Sequence, residues 1–370
     1  MELVDNLHIQ VIEMRIALVM GTRPQFIKLA PFIKAAKGKL ELLIMDTGQH
    51  YDSELSGSFV REFRLPTPNY YLNVGSGSHG MQTGRMLSRL DVILSQERPD
   101  MTVVFGDTNS TLAGALASVK LGIPVCHIEA GTRSNDMRMP EEVNRRAVDS
   151  ISTLLFAPTS RTAFNLTSEG HELVYDIGDI MVDSLEYSLR MAGGARSTIL
   201  EDNELEDMKY VFSTVHRPSN TDDRTRLLTI LQAMHEIQMP IIMPIHPRTS
   251  KRLMELGLSH EVPDNVTLID PISHHDSIQL IKHAYCVLTD SGGLVKESYL
   301  LKTPCVTLRD TTEWPETVES GYNILTGNDR NQIIKAVRSC RKTKKKAYKD
   351  YFGVPGVSER IVEIILESDG

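Results

Sequence analysis

A surplus of basic residues is missing from this chain. Its 40 Lys and Arg stand against 48 Asp and Glu, a formal net charge of −8. That argues against a general nucleic-acid binder, whose surface would carry the opposite balance; a local basic pocket for a small anion remains compatible with it. Cysteine is scarce: Cys126, Cys286, Cys305 and Cys340. No two form a C-x-x-C pair, three lie in apolar runs and Cys340 follows a helical pattern. They read as reduced thiols of a cytosolic, hence cytoplasmic, protein. Long apolar runs are also absent. None approaches the roughly 20 residues of a membrane span, and no basic segment followed by an apolar core opens the chain. No membrane partner and no signal peptide are expected. Residues 1–13 read as an extension ahead of Met14, itself a candidate start.

What is present is ordinary for a globular enzyme. Charged residues make up 24% and hydrophobic ones 41% of 370 residues, enough for two domains at roughly 100–200 residues each. Strand-like runs alternate with helical patterns. Arg15–Met20, Leu40–Asp46, Met101–Phe105, Pro124–Ile128, Leu154–Ala157 and Leu173–Asp176 read as strands, with helices to about Ala36, over Met81–Glu97 and over Leu112–Leu121. After an acidic stretch, Glu201–Asp207, read as a solvated linker, a second alternation begins. Its strands are Tyr210–Thr214, Ile241–Pro244, Val266–Ile269, Cys286–Thr289 and Cys305–Leu308. Such alternation favours parallel sheets covered by helices. The expected fold class is α/β: two Rossmann-like domains, 14–190 and 208–345, with a cleft between them. Residues 346–370 are expected to form a helical segment packing back on the first domain.

Open parallel sheets bind ligands beyond the carboxyl ends of their strands, and the polar residues collect there. Gly21-Thr22-Arg23-Pro24 opens the first helix, with Arg23 and Lys28 as cations near a helix N-terminus where an anion is favoured. Gly106-Asp107 follows one strand and Ile128-Glu129-Ala130-Gly131 the next. Asp107 alone could be a helix cap, but a Glu at a buried strand end is costly unless paired or used. Glu141, at a helix start, supplies a third acid. Three carboxylates at one sheet edge suit an acid/base set with separated pKa values. In the second half, His216 and His246 follow strands. Ser291-Gly292-Gly293 opens a helix, where two glycines admit a phosphate to bare N–H groups. Glu297, further along that helix, could meet ribose hydroxyls.

Two features are read as decoys. Gly75-Ser76-Gly77-Ser78-His79-Gly80 fits G-x-G-x-x-G, but Tyr70–Val74 before it is a poor core strand, and the next strand ends in its acid, Asp107, about 30 residues on instead of about 20. His274-His275 lacks a third ligand at metal-site spacing and reads as a solvated or core pair. Neither NAD nor a metal is expected.

Together the motifs GTRPQFIKLAP, TGQHYD, GDTNSTLAGALA, HIEAGTRS, PEEVNRR, VHRPSNTD, PIHPRT, DSGGLVKES and RDTTEWPETVE resemble the UDP-N-acetylglucosamine 2-epimerase family, on a fold similar to that of GT-B glycosyltransferases. Nine motifs in one order, from Met14 nearly to the end, are specific. The resemblance implies a cytoplasmic isomerase, a homodimer serving polysaccharide biosynthesis, that interconverts UDP-GlcNAc and UDP-ManNAc. It does so by eliminating UDP across C1–C2 and re-adding it to the glycal. Asp107, Glu129 and Glu141 become the proton-transfer candidates, their faces unassigned. Arg23, Lys28, His216 and Ser291–Gly293 become the UDP-stabilising set, and Glu297 the ribose ligand. Gln49, Arg85 and His246 resemble positions lining a second, regulatory UDP-sugar site.

Several positions depart from the commoner bacterial pattern: Gln25 for Glu, Thr132 for Leu, Pro218-Ser219 after His-Arg, Lys296 for Glu or Gln, and Trp314 for Arg. The forms TGQHYD and TEWPET look like archaeal members and like the branch acting on UDP-2,3-diacetamido-2,3-dideoxy-glucuronate. That substrate, a hydrolysing epimerase releasing free ManNAc, a GT-B glycosyltransferase and a non-catalytic UDP-sugar sensor are the alternatives.

Overall fold

The computed structural model describes residues 14–49, 63–191, 197–343 and 348–368. Residues 1–13, including the suggested extension, and His50, Tyr51 and Asp52 of TGQHYD lie outside them. The chain divides into two compact units, residues 1–187 with 351–370, and residues 188–350.

The first unit is built on a parallel sheet in the order β3-β2-β1-β4-β5-β6-β7. Its strands are β1 Arg15–Met20, β2 Glu41–Asp46, β3 Tyr70–Tyr71, β4 Met101–Phe105, β5 Val125–Ile128, β6 Leu154–Ala157 and β7 Val174–Asp176. The central strands are buried along their whole length, as a sheet covered on both faces requires. β3, a two-residue edge strand, pairs only with the end of β2. The G-x-G-x-x-G look-alike follows it as an exposed turn leading into the helix His79–Glu97. Phe32 and Phe105 meet edge to face with ring centroids 6.0 Å apart beneath the site. The final helix, Val357–Glu367, packs on the helix Arg23–Ala36. Asp183 tethers its start, accepting from Gly356 N at 2.8 Å and Ser358 N at 2.6 Å.

The second unit repeats the plan with the order β10-β9-β8-β11-β12-β13. Its strands are β8 Val211–Thr214, β9 Ile241–Pro244, β10 Val266–Ile269, β11 Cys286–Thr289, β12 Cys305–Thr307 and β13 Asn323–Leu325. β13 carries no apolar run and is not visible in the sequence pattern. The acidic stretch around Glu201–Asp207 is less of a free linker than expected. Glu201, Asp202, Glu206 and Asp207 are exposed, but Ile199, Leu200 and Leu205 pack on the core of this unit. All four cysteines are buried thiols outside any disulfide. Among the described residues no helix is long and apolar enough to cross a membrane.

In each sheet the chain reverses its direction of winding between the first strand and the fourth, β1 beside β4 and β8 beside β11. The carboxyl ends of those strands are the topological switch points at which such sheets hold ligands.

Candidate functional site

At the switch point of the first sheet, Gly21 follows β1. A Cβ there would lie 1.9 Å from Thr47 Oγ1 and 2.6 Å from Ser110 Oγ, so only glycine lets the three turns close together. Gln25 then joins two of them. Its carbonyl oxygen accepts from Gly21 N at 2.9 Å and from Thr22 N and Oγ1 at 3.2 Å. Its amide donates toward Phe105 O at 2.9 Å and the hydroxyls of Thr108 and Thr111 at 3.1 and 3.0 Å. A carboxylate here would set acceptor against acceptor at Phe105 O, which accounts for Gln in place of Glu.

The three acids are not equivalent. Asp107 follows β4 and receives Arg145 Nη2 on its carboxylate at 2.5 Å; Asn144 Nδ2 reaches its carbonyl at 2.9 Å. Its carboxyl lies above the usual range. Burial is the main cause, the Arg145 charge opposes it, and the charges of Glu129 and Glu141 add to it. Glu129, after β5, is paired with the buried Lys28 ammonium. Its backbone sits at φ 74°, a left-handed conformation that costs a non-glycine residue on the order of 1–3 kcal/mol and is found where function demands it. Glu141 is exposed at the start of the helix Pro140–Ile151 and close enough to act on Asp107. Its neighbour Glu142 is fully buried and accepts from Ser134 N and Oγ, Arg145 and Arg146. Burial would raise its carboxyl, but those bonds hold it lower than usual. Glu142 is therefore a structural anion.

Sequence reasoning passed over a second layer. His127, inside β5, is wholly buried between Asp149 Oδ1 at Nδ1 and Gly106 O at Nε2, both at 2.7 Å. Asp149 also accepts from Gly131 N at 3.1 Å and Arg133 Nη1 at 2.6 Å. Burial pushes the Asp149 carboxyl up, but His127 and then Arg133 outweigh it and hold it low. The only signal was a histidine in a strand that should be apolar.

At the switch point of the second sheet the arrangement differs. Ser291 caps the helix Gly292–Leu300, accepting from Leu294 N at 3.4 Å. A Cβ on Gly292 would lie 3.3 Å from Glu313 Oε2, 3.7 Å from Arg309 Nη1 and 3.9 Å from Arg217 Nη2, so the turn lies against a bidentate Arg309–Glu313 pair at 2.8 and 2.6 Å. That pair overrides burial and brings the Glu313 carboxyl down to about 2. Asp290, fully buried, accepts from His216 N, Arg217 N and Asn220 Nδ2 at 3.0–3.1 Å. The His216 ring, half-buried, titrates below its ordinary range, chiefly through burial, with Arg217 and Arg248 adding and Asp290 opposing. It stacks on His246 with centroids 5.5 Å apart. Glu297 is nearly buried and bonded to His274 Nε2 at 3.1 Å. His274, read from sequence as part of a decoy, thus holds the expected ribose acid. Lys296 lies over the Trp314 ring, 3.9 Å from its centroid.

The structure therefore brings Lys28, Asp107, Glu129 and Glu141 together in one unit, and His216, His246, Ser291, Gly292 and Gly293 at the strand ends of the other, with Glu297 further along the same helix. Lys28, expected beside UDP, sits on Glu129. Arg23 is exposed at the first helix start. Gln49 Oε1 is occupied by Ser110 N and Oγ at 3.0 and 2.7 Å, while Arg85 is exposed. Among the described residues no cluster of His, Cys, Asp or Glu is placed to hold a metal ion.

Comparison with known proteins agrees with this geometry. The family model described as UDP-N-acetylglucosamine 2-epimerase matches residues 33–366. A UDP-N-acetylglucosamine 2-epimerase homolog of Methanococcus maripaludis is 46% identical over 95% of this chain and 99% of its own length. A UDP-2,3-diacetamido-2,3-dideoxy-D-glucuronate 2-epimerase of Pseudomonas aeruginosa is 42% identical over 88% and 92%. The crystal structure of the Methanocaldococcus jannaschii UDP-GlcNAc 2-epimerase in complex with UDP-GlcNAc and UDP matches with a TM-score of 0.89 and 42% identity, over 96% of this chain and all of that one. With its two parallel Rossmann-like sheets, nine ordered motifs and full-length relatives, the chain belongs to the UDP-N-acetylglucosamine 2-epimerase family.

Proposed function

We propose that this chain is a non-hydrolysing UDP-N-acetylglucosamine 2-epimerase. It interconverts UDP-GlcNAc and UDP-ManNAc by eliminating UDP and adding it back. The C2 proton is not next to a carbonyl, so its removal must be coupled to loss of the C1 substituent. In the forward step the C2–H bond and the C1–O bond break, giving a glycal and UDP. In the return step UDP oxygen rejoins C1 and a proton is delivered to the opposite face of C2. The two steps are redox-neutral and need no NAD, and the proposal includes no metal.

One observation carries the reading: neighbouring carboxyls at one sheet edge have different surroundings, Glu129 paired with Lys28 and Asp107 with Arg145. Glu129 is a carboxylate against Lys28, suited to take a proton. Asp107, raised by burial and by Glu129 and Glu141, is suited to hold one. In the reverse direction the two exchange roles, and Glu141, more exposed, connects the set to solvent. In the second unit the Ser291–Gly293 helix start, Arg217 and a neutral His216 are proposed to stabilise departing UDP, with Glu297 on the ribose. A homodimer in the cytoplasm and a regulatory role for Gln49, Arg85 and His246 belong to the same proposal. Incubation with UDP-GlcNAc in deuterated water tests it. Deuterium should enter C2 while the sugar stays linked to UDP. Stoichiometric release of free sugar, or retention of the C2 hydrogen during turnover, would overturn it.

A further inference from the structure

The interior of the first unit contains a buried polar pair, His127 and Asp149, that its core does not need. His127 stands in the middle strand region of the sheet, paired in register with Val104 on one side and Leu155 on the other. Buried ion pairs contribute little net stability compared with apolar residues of the same volume. What this pair does, and an apolar pair could not, is hold two backbone groups. Gly106 O, one residue before Asp107, accepts from His127 Nε2. Gly131 N, two residues after Glu129, donates to Asp149 Oδ2. Asp149 closes the link by accepting from His127 Nδ1. The two ring nitrogens face Asp149 Oδ1 and Gly106 O, one on each side of the ring.

We propose that His127 and Asp149 are positioning residues for proton transfer, a single brace that sets the turn carrying Asp107 against the turn carrying Glu129. The inference rests on the acid/base reading above but concerns groups that touch no substrate. Both turns depend on external support: Gly106 and Glu129 each take a left-handed backbone conformation, and Gly131 has no room for a Cβ, which would lie 2.3 Å from Thr162 O. Arg133 completes the brace by carrying Asp149 to Glu169 through bonds of 2.9 and 2.5 Å. The helix that bears Asp149 also bears Asn144 and Arg145, so one element registers Asp107 through its side chain and its own carbonyl, and reaches the carbonyl before it by way of His127.

Two substitutions separate the two ring nitrogens. In His127→Gln the amide nitrogen falls near Nε2 and can still donate to Gly106 O. In His127→Asn it falls near Nδ1 and serves only Asp149. We expect His127→Asn to lose about 100-fold in kcat, as an ångström of misplacement does, and His127→Gln about tenfold or less, with KM and UDP affinity changed by no more than about twofold. In an Asp107→Asn background the same substitutions should cost only a few-fold more, because they act through that residue. Amide hydrogen exchange over Gly106–Asp107 and Glu129–Gly131 reads the brace without substrate and should quicken more in the Asn variant than in the Gln variant. Equal effects of the two variants, or losses that multiply fully with Asp107→Asn, would overturn the brace. Should His127→Asn not fold, Asp149→Asn should raise exchange at Gly131 and lower kcat at constant KM, and unchanged values would count equally against it. Absence of C2 exchange in the wild type would instead remove the epimerase reading and leave the amide-exchange result to decide the brace alone.

Discussion

At the carboxyl edge of the first sheet, cations are matched to acids: Lys28 to Glu129, Arg145 to Asp107 and Glu142, Arg133 to Asp149. At the same edge of the second sheet, a helix start, half-exposed Arg217 and a His216 that favours its neutral form face outward from a buried scaffold of Asp290 and the Arg309–Glu313 pair. The strand orders are alike at the switch points. The two edges thus differ in electrostatics and not in topology: the first pairs its acids with cations, and the second sets a helix start, Arg217 and His216 above buried acids, the difference on which the proposed division of labour rests. Breaking a group on one edge should leave the other edge's property intact.

The largest effect expected is on turnover. Glu129→Gln and Asp107→Asn should each lower kcat by about 10²–10⁴-fold, while UDP affinity, measured by calorimetry, stays within a factor of about two. A loss of UDP binding as large as the loss of turnover would erase the division of labour. Arg217→Ala is the reciprocal probe, weakening UDP binding while slow C2 exchange at saturating substrate is retained.

Acid should act oppositely on the two edges. Glu313 has its carboxyl at about 2, against an ordinary 4.5. Its stabilisation is full above the ordinary value and is lost as pH falls toward 2. By linkage that is worth about 3 kcal/mol at neutral pH. Glu313→Gln should therefore lower thermal stability most at pH 7, with the deficit shrinking in acid. Asp107 is raised from 3.8, so its contribution is favourable when protonated and is lost as pH rises through the folded value. Asp107→Asn should stabilise at pH 7, a gain that shrinks as pH falls through the folded value and is gone below about pH 3.8, the ordinary value. Melting curves at several pH values check both, and a destabilised Asp107→Asn at neutral pH would break the contrast.

The parts of this arrangement that could be read from sequence share a physical cause. Strands of a two-sided parallel sheet are continuous apolar runs, so Met101–Phe105 and Cys286–Thr289 were visible, and an acid just past such a run, like Asp107 or Glu129, draws notice. Tyr70–Tyr71 and Asn323–Leu325 are edge strands too short for any pattern to form. His127 and Asp149 are 22 positions apart inside regular elements, and nothing local marks them as partners. His274 looked idle because its partner, Glu297, arrives 23 residues later on another helix. Lys28 was read as a phosphate ligand since a cation near a helix start attracts anions; only the fold reveals that the anion is Glu129.

The smallest effect tests whether the outer part of the second edge was retuned as a unit. Lys296 and Trp314 both depart from the commoner bacterial pattern, which has an acid or amide at the first position and Arg at the second. Here the ammonium lies 3.9 Å from the ring centroid with both side chains buried. Relative to that pattern the cation stands at the other of the two positions, and it faces an aromatic ring. A cation–π contact of this kind contributes about 0.5–2 kcal/mol. Lys296→Met and Trp314→Leu should each destabilise the second unit by about that amount, and the double substitution should cost less than their sum. Because Lys296 adjoins Glu297, UDP affinity should fall slightly in the single variants, with turnover at saturating substrate unchanged. Strict additivity would mean that the two departures are independent. A fall in turnover exceeding the fall in UDP affinity would place Lys296 in the proton chemistry of the first edge and undo the separation between the two.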